Sequence, residues 1–186
     1  LIALKAILLV FAFGINLSAA GQPNIVAIIA DDHGVYHSTA YGAKEQKTPH
    51  MQSLANEGMT FSRAYVASPA CAPSRHALIS GLMPYRNGVV GNHENSNYKL
   101  DASESLIQQL IDAGYDVVFR GKVAHGNGKG VVPTGVVRLP GSNNLLDPEN
   151  VEAYLVNRKD KTKPVALFIG PTDTHTIWPS EPGDVH

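Results

Sequence analysis

Cysteine and tryptophan each occur once in these 186 residues and methionine three times. Neither sign of charge prevails, with 15 Lys and Arg against 16 Asp and Glu. A lone cysteine closes no intramolecular disulfide, so in an exported protein Cys71 must be buried, reactive or modified. A net charge of -1 provides no field for nucleic acid or a membrane surface, which leaves anion recognition to a few local basic residues. Internal repeats and low-complexity tracts are absent, and the apolar run near the start is short and interrupted by Gly14 and Asn16, which speaks against a membrane span, an uncleaved membrane anchor being the alternative reading. The first twenty residues instead carry Lys5, the apolar run Ala6 to Phe13 and the small residues Ser18-Ala19-Ala20 ahead of a cleavage point. Residues 1–20 are therefore expected to be a signal peptide, and the protein to be exported to a periplasmic or extracellular compartment. The chain opens on Leu1, so its start is expected to be incomplete or misassigned.

What is present is an alternation of strand-like and helix-like segments from Pro23 onward. Asn24 to Ala30 is a continuous apolar run, the pattern of a strand buried on both faces. Thr48-Pro49 opens a helix that Gly58 stops. Thr60 to Val66 alternates as a strand does. Asp101 to Ala113 carries Leu106, Ile107, Leu110 and Ile111 at helical spacing, with Asp101 and Glu104 as a capping-box variant and Gly114 as the C-cap. Tyr115 to Arg120 and Val165 to Gly170 read as strands, Gly126 to Pro148 as a long loop, and Glu149 to Arg158 as a short helix. The whole predicts an α/β fold with a mostly parallel sheet and flanking helices. In such sheets ligands bind beyond the carboxyl ends of the strands. Asp31-Asp32, Lys122 and His175 each follow a predicted strand, so several segments are expected to converge on one edge.

Cys71 stands in the run Cys71-Ala72-Pro73-Ser74-Arg75, between a strand-like segment and an apolar helix. Pro73 is expected to open that helix, which ends near Gly81, and so to place Cys71 beside free N–H groups and the positive end of the helix dipole. Arg75 adds a permanent, forked cation. Asp31 and Asp32 end the first apolar run, and two adjacent carboxylates there repel unless a cation lies by them, calcium or magnesium suiting hard oxygen donors. Gly121-Lys122-Val123-Ala124-His125 offers a cation for an anionic oxygen and an imidazole able to hold or take a proton.

The pattern Cys-x-Pro-Ser-Arg, continued by Ala77-Leu78-Ile79-Ser80-Gly81-Leu82, resembles the signature of the sulfatases. The segment Pro23 to Gly34 resembles their amino-terminal strand, and Pro171 to Pro179 is similar to their His-x-Pro-His-x-Pro stretch, with Thr172 in place of the first histidine and Thr174 in place of proline. Lys122 and His125 are three residues apart, as in the subset resembling iduronate sulfatases, where many sulfatases have two; local similarity leans towards the heparan N-sulfatase and iduronate sulfatase branches. The resemblance implies an alkaline-phosphatase-like fold and hydrolysis of sulfuric esters on a sulfated carbohydrate or aryl sulfate. It also implies a formylglycine made from Cys71 by a formylglycine-generating enzyme. A hydrated aldehyde has two hydroxyls, one to attack sulfur and one whose deprotonation expels sulfate, whereas a serine would be left as a stable sulfate ester. By the same resemblance Cys71, Arg75, Lys122, His125 and His175 are catalytic, His175 touching the sulfate and protonating the leaving group. Asp31, Asp32 and the residue at position 71 then hold calcium, or magnesium.

His33 falls outside the pattern, and His76 is left facing either pocket or core. Asn92-His93 lies where sulfatases often place substrate-contacting residues, and Trp178 either lines a sugar wall or packs. The similarity covers about the first half of a sulfatase catalytic domain. Residues 23–186 are thus expected to be its amino-terminal part, lacking a downstream Asp-Asn or Asp-His pair and a further lysine, and inactive alone. Asn143, Asn144 and Asp147 are poor substitutes for that pair. Two other readings stay open: a phosphoester or phosphonate hydrolase of the same superfamily, and an inactive glycan-binding fragment. Oligomeric state is not legible.

Overall fold

The apolar runs Val-Ala-Leu-Phe-Ile-Gly and Asp-Val-Val-Phe-Arg-Gly have the β-branched and aromatic content of strands covered on both faces. They form the two inner strands of a four-stranded parallel sheet in the computed structural model, which describes residues 21–92, 101–125, 132–141 and 148–175. The strands are β1 (Ile25–Ile28), β2 (Asp116–Gly121), β3 (Val137–Arg138) and β4 (Val165–Gly170), in the spatial order β1-β4-β2-β3. β4 pairs with β2 from Asp116 opposite Val165 to Gly121 opposite Gly170, and with β1 from Ile25 opposite Ala166 to Ile28 opposite Ile169.

Five helices accompany the sheet among the described residues: α1 (Pro49–Glu57), α2 (Cys71–Ser80), α3 (Pro84–Asn87), α4 (Leu106–Asp112) and α5 (Pro148–Asn157). Because side chains alternate along a strand, the sheet builds two cores. On one face Val117, Phe119, Ala166 and Phe168 pack with Ile79 of α2 and Ile107 of α4. Phe119 and Phe168 meet edge to face with centroids 5.5 Å apart, a geometry worth about 0.5–1.5 kcal/mol beyond the area it buries. On the other face Val118, Val165 and Leu167 pack against Val151 and Tyr154 of α5.

Several expectations are corrected. β1 is covered on one face only: Ile25 and Ala27 pack on the core, while Val26 and Ile28 are 62% and 61% exposed. β1 lies at the sheet edge, and α5 reaches β4 and β2 but leaves a cleft over Val26. The alternating tract Thr60–Val66 forms no strand, since no sheet edge pairs with it and Phe61, Tyr65 and Val66 stay exposed. The predicted long loop contains β3, paired to Val118 and Phe119. Asp101 caps a 3-10 turn, accepting from the Ser103 N–H at 2.9 Å, and the α4 helix proper starts from its own cap, Ser105, which accepts from the Gln108 N–H at 3.2 Å. Its C-cap is Ala113, with left-handed Gly114 following. No helix among the described residues is long and apolar enough to cross a membrane. The expected leader at 1–20 lies outside the described residues, as do His93, Asn143, Asn144, Asp147 and Trp178.

The carboxyl ends of β2 and β4 approach so closely that only glycine fits. A Cβ on Gly170 would overlap the Lys122 carbonyl, and one on Gly121, which is left-handed at φ 74°, would overlap the Gly170 carbonyl. These are backbone atoms and cannot swing aside. Gly170→Ala is therefore expected to lower the stability of the full-length protein by at least about 3 kcal/mol, the upper end of ordinary overpacking costs. A denaturant midpoint unchanged within error would contradict this packing.

Candidate active site

β1 continues past its last ladder residue: the Ile29 N–H donates to the Ile169 carbonyl at 2.8 Å and the Asp31 N–H to that of Pro171 at 3.1 Å. This carries Asp31 to the carboxyl edge of the sheet beside the β4 exit. Asp32 then takes a left-handed conformation, φ 56°, the one non-glycine residue described with positive φ. Aspartate tolerates that region better than most residues, and the turn breaks the strand's side-to-side alternation. Both carboxylates thus line one cleft of about 220 Å³, together with Ser68, Cys71, Ser74 and Arg75.

Cys71 is the first residue of α2. The helix starts two residues earlier than predicted, with Ala70 as its N-cap and Pro73 in its third position, where the missing N–H costs nothing. The N–H groups around Cys71 are not all free for an anion. The Ala72 N–H donates to Asn92 Oδ1 at 2.9 Å and the Ala70 N–H to Ser68 Oγ at 3.2 Å. Asn92 Nδ2 also donates to Cys71 Sγ at 3.5 Å. Sequence reasoning placed Asn92 near the substrate; the structure places it on the cysteine.

Arg75 is 4% exposed and turned inward. Its Nη1 donates to the carbonyls of Lys122 and Val123, and its Nη2 to Asp31 Oδ1 at 3.1 Å and the Ile29 carbonyl at 3.5 Å. One guanidinium thereby ties α2 to the ends of β1 and β2. Lys122 Nζ lies 2.5 Å from the other oxygen of Asp31. Burial alone would raise the Asp31 pKa, but hydrogen bonds and charge from Lys122 and Arg75 outweigh it and hold the carboxyl below its ordinary value.

His175 reaches the same cluster through a tight turn, its N–H donating to the Thr172 carbonyl at 2.9 Å. The Thr174 hydroxyl donates to the Asp31 carbonyl, so the residue that departs from the expected proline anchors the histidine loop to β1. His175 Nε2 stands 4.0 Å from Asp31 Oδ2 and 3.8 Å from Asp32 Oδ2. His125 lies within reach of the charges of Lys122, Asp31 and Arg75, its Nδ1 buried with no hydrogen-bond partner among the described residues. Desolvation, then the Lys122 and His76 charges, push its pKa below the usual 6.5, which favours a neutral imidazole at pH 7. His76 resolves to the core: it is fully buried, with Nδ1 2.8 Å from the Ala72 carbonyl oxygen.

The seven residues singled out from sequence thus come from four segments to one edge of the sheet. The paired carboxylates are hard-oxygen donors of the type calcium or magnesium takes, and they share one cleft with Cys71. Among the described residues no group of three or more His, Cys, Asp or Glu is arranged to hold a metal ion, so a full coordination shell needs further donors.

Comparison with known proteins agrees with this geometry. The family model described as Sulfatase matches residues 23–182. The chain is 34% identical over 155 residues to an ulvan-active sulfatase of Formosa agariphila, covering 80% of this chain and 29% of the relative. It is 37% identical over 122 residues to N-acetylgalactosamine-6-sulfatase of Rattus norvegicus, covering 60% and 23%. The crystal structure of a putative sulfatase from Bacteroides thetaiotaomicron superposes with a TM-score of 0.69 at 27% identity, covering 83% of this chain and 36% of that one. The sheet is accordingly that of the alkaline-phosphatase-like sulfatase fold, of which this chain spans a part. By motif, fold and match, the chain belongs to the sulfatase family.

Proposed function

We propose that this chain carries the nucleophile side of a formylglycine- and calcium-dependent sulfatase that releases sulfate from a sulfated carbohydrate. The observation that carries the reading is the cleft that Cys71, at the start of α2, shares with Asp31 and Asp32, whose carboxylates are in turn paired with Lys122 and His175. The names of the relatives, a sulfatase active on ulvan and one for N-acetylgalactosamine 6-sulfate, support a sugar rather than a small aryl substrate.

Conversion of Cys71 by a formylglycine-generating enzyme would supply a hydrated aldehyde, with one hydroxyl as nucleophile towards sulfur and a second whose deprotonation would release sulfate. Asp31 and Asp32 would hold calcium, and an oxygen on the converted residue 71 would be available as a further donor. A soft thiol is a poor calcium ligand, so the metal role of position 71 depends on that conversion. Arg75 fixes Asp31 and the start of α2 relative to one another. Lys122 neutralises a sulfate oxygen as charge develops, His125, kept neutral, takes the proton from the diol, and His175 gives one to the leaving alcohol. With the expected leader at 1–20, this chemistry belongs to an exported protein.

The test is sulfate release by the full-length gene product, co-expressed with a formylglycine-generating enzyme, from sulfated polysaccharide. Lys122→Ala is expected to cut kcat by roughly 10²–10³, as for loss of a donor aimed at developing charge, while glycan binding weakens far less. Tight saturable glycan binding with no sulfate release in the wild type would refute the enzyme and leave a binding protein.

A further inference from the structure

Asn92 lies at the end of a segment built to bring it back to Cys71. The chain leaves α2 at left-handed Gly81 and turns through α3. There Asn87, fully buried, spends its whole amide on the turn. Nδ2 donates to Ser80 Oγ at 3.3 Å and the Leu82 carbonyl at 3.0 Å, and Oδ1 accepts from the Val89 N–H at 2.9 Å. Val89 is itself fully buried. The chain is thus pinned at the carboxyl end of α2 and must run back along a helix about 15 Å long, which the four residues after Gly88 nearly span when extended. At the far end Asn92 Oδ1 takes the Ala72 N–H at 2.9 Å, and Nδ2 points at Cys71 Sγ at 3.5 Å.

These bonds use different atoms of one side chain. A helix cap needs only an acceptor, so the isosteric Asp would serve α2 as well as Asn. What Asn adds is a donor directed at the side chain of position 71. We propose that Asn92 is a positioning residue for the nucleophile: its carbonyl oxygen orients the amide by capping α2, and its NH2 holds the heteroatom at position 71. The thiol sulfur stands in here for a hydroxyl oxygen of the converted residue, so the inference rests on the function proposed above. A donor aimed at that oxygen favours one rotamer of residue 71 and stabilises negative charge on it.

Two variants of the full-length protein separate capping from positioning. Asn92→Ala removes both bonds; Asn92→Asp keeps the cap and replaces the donor with an anion. In protein made without conversion, the rate of Cys71 alkylation by iodoacetamide at one fixed pH reads the hold of the donor on the sulfur. Both variants are expected to lower that rate at least about threefold, because the NH2 that stabilises negative charge on the sulfur is gone in each. Only Asn92→Ala is expected to lose thermal stability. In converted protein, kcat per aldehyde-bearing molecule is expected to fall about tenfold in both variants with KM within twofold, since the contact is made to the enzyme and not to substrate. An unchanged alkylation rate in both variants, or wild-type kcat in Asn92→Asp, overturns the proposal. The alkylation arm needs neither aldehyde nor sulfate ester, so it decides the role of Asn92 even if the sulfatase reading fails.

Discussion

Cys71→Ser in the full-length protein is expected to fold normally and to release no sulfate above background. Serine differs from cysteine by one atom, keeps the start of α2 and can accept the Asn92 NH2 that now meets Sγ. Structure is therefore not what the substitution removes. A serine hydroxyl able to attack sulfur would be left as a sulfate ester, with no second hydroxyl to expel the anion. Peptide mass spectrometry of the wild type from a converting host is expected to show position 71 as the aldehyde, and the serine variant as serine or its sulfate ester. Multiple turnovers by Cys71→Ser, or an unmodified thiol in an active wild type, would defeat the formylglycine mechanism.

Arg75→Met is expected to be among the most destabilising single changes in the chain, at about 3–5 kcal/mol, the usual cost of removing one partner of a buried ion pair. Arg75 and Asp31 are each 4% exposed. Removal takes the guanidinium from Asp31, leaving Lys122 and the more distant His175 beside its carboxylate, and abandons the carbonyls of Ile29, Lys122 and Val123. Arg75→Lys is expected to restore little, because a single ammonium cannot serve acceptors from β1 and β2 together. The wild-type Asp31 pKa is depressed, so its stabilisation is complete above the unfolded value near 3.8 and is lost as pH falls through the lower folded value. Arg75→Met is expected to shrink that acid-sensitive contribution as well as the total, both read from denaturant midpoints across acidic pH. A loss below about 1 kcal/mol at neutral pH would show that the buried network is not what holds α2 to the sheet.

The strands β2 and β4 were legible because both are covered on each face, so apolarity and burial coincide along them. β1 has the same apolar composition but only one covered face, and a sequence pattern records a side chain's polarity without recording what lies over it. Thr60–Val66 failed for the related reason that alternation makes a strand only where an edge exists to pair with it. β3 was missed because its two residues are held by neighbours on β2 and carry no period of their own. Helix starts moved by local detail: Ser105 took over from Asp101 as the cap of α4, and α2 begins at Cys71, two residues before Pro73.

For the site, the residues themselves determined the chemistry. Cys71-x-Pro-Ser-Arg, the adjacent aspartates, the Lys122–His125 pair and His175 are groups whose reactivity is set by covalent structure, and their places after strand ends follow from a parallel sheet. Tertiary structure decided what each group faces. It turned Arg75 inward to brace Asp31, put His76 in the core, set Thr174 on the Asp31 carbonyl, and brought Asn92 back from the far end of α2 to Cys71. Those contacts join residues up to 143 positions apart. The bonds from Arg75 to the Lys122 and Val123 carbonyls lie where β2 approaches β4, a closeness that Gly121 and Gly170 permit, and no local pattern encodes a distance between two strands.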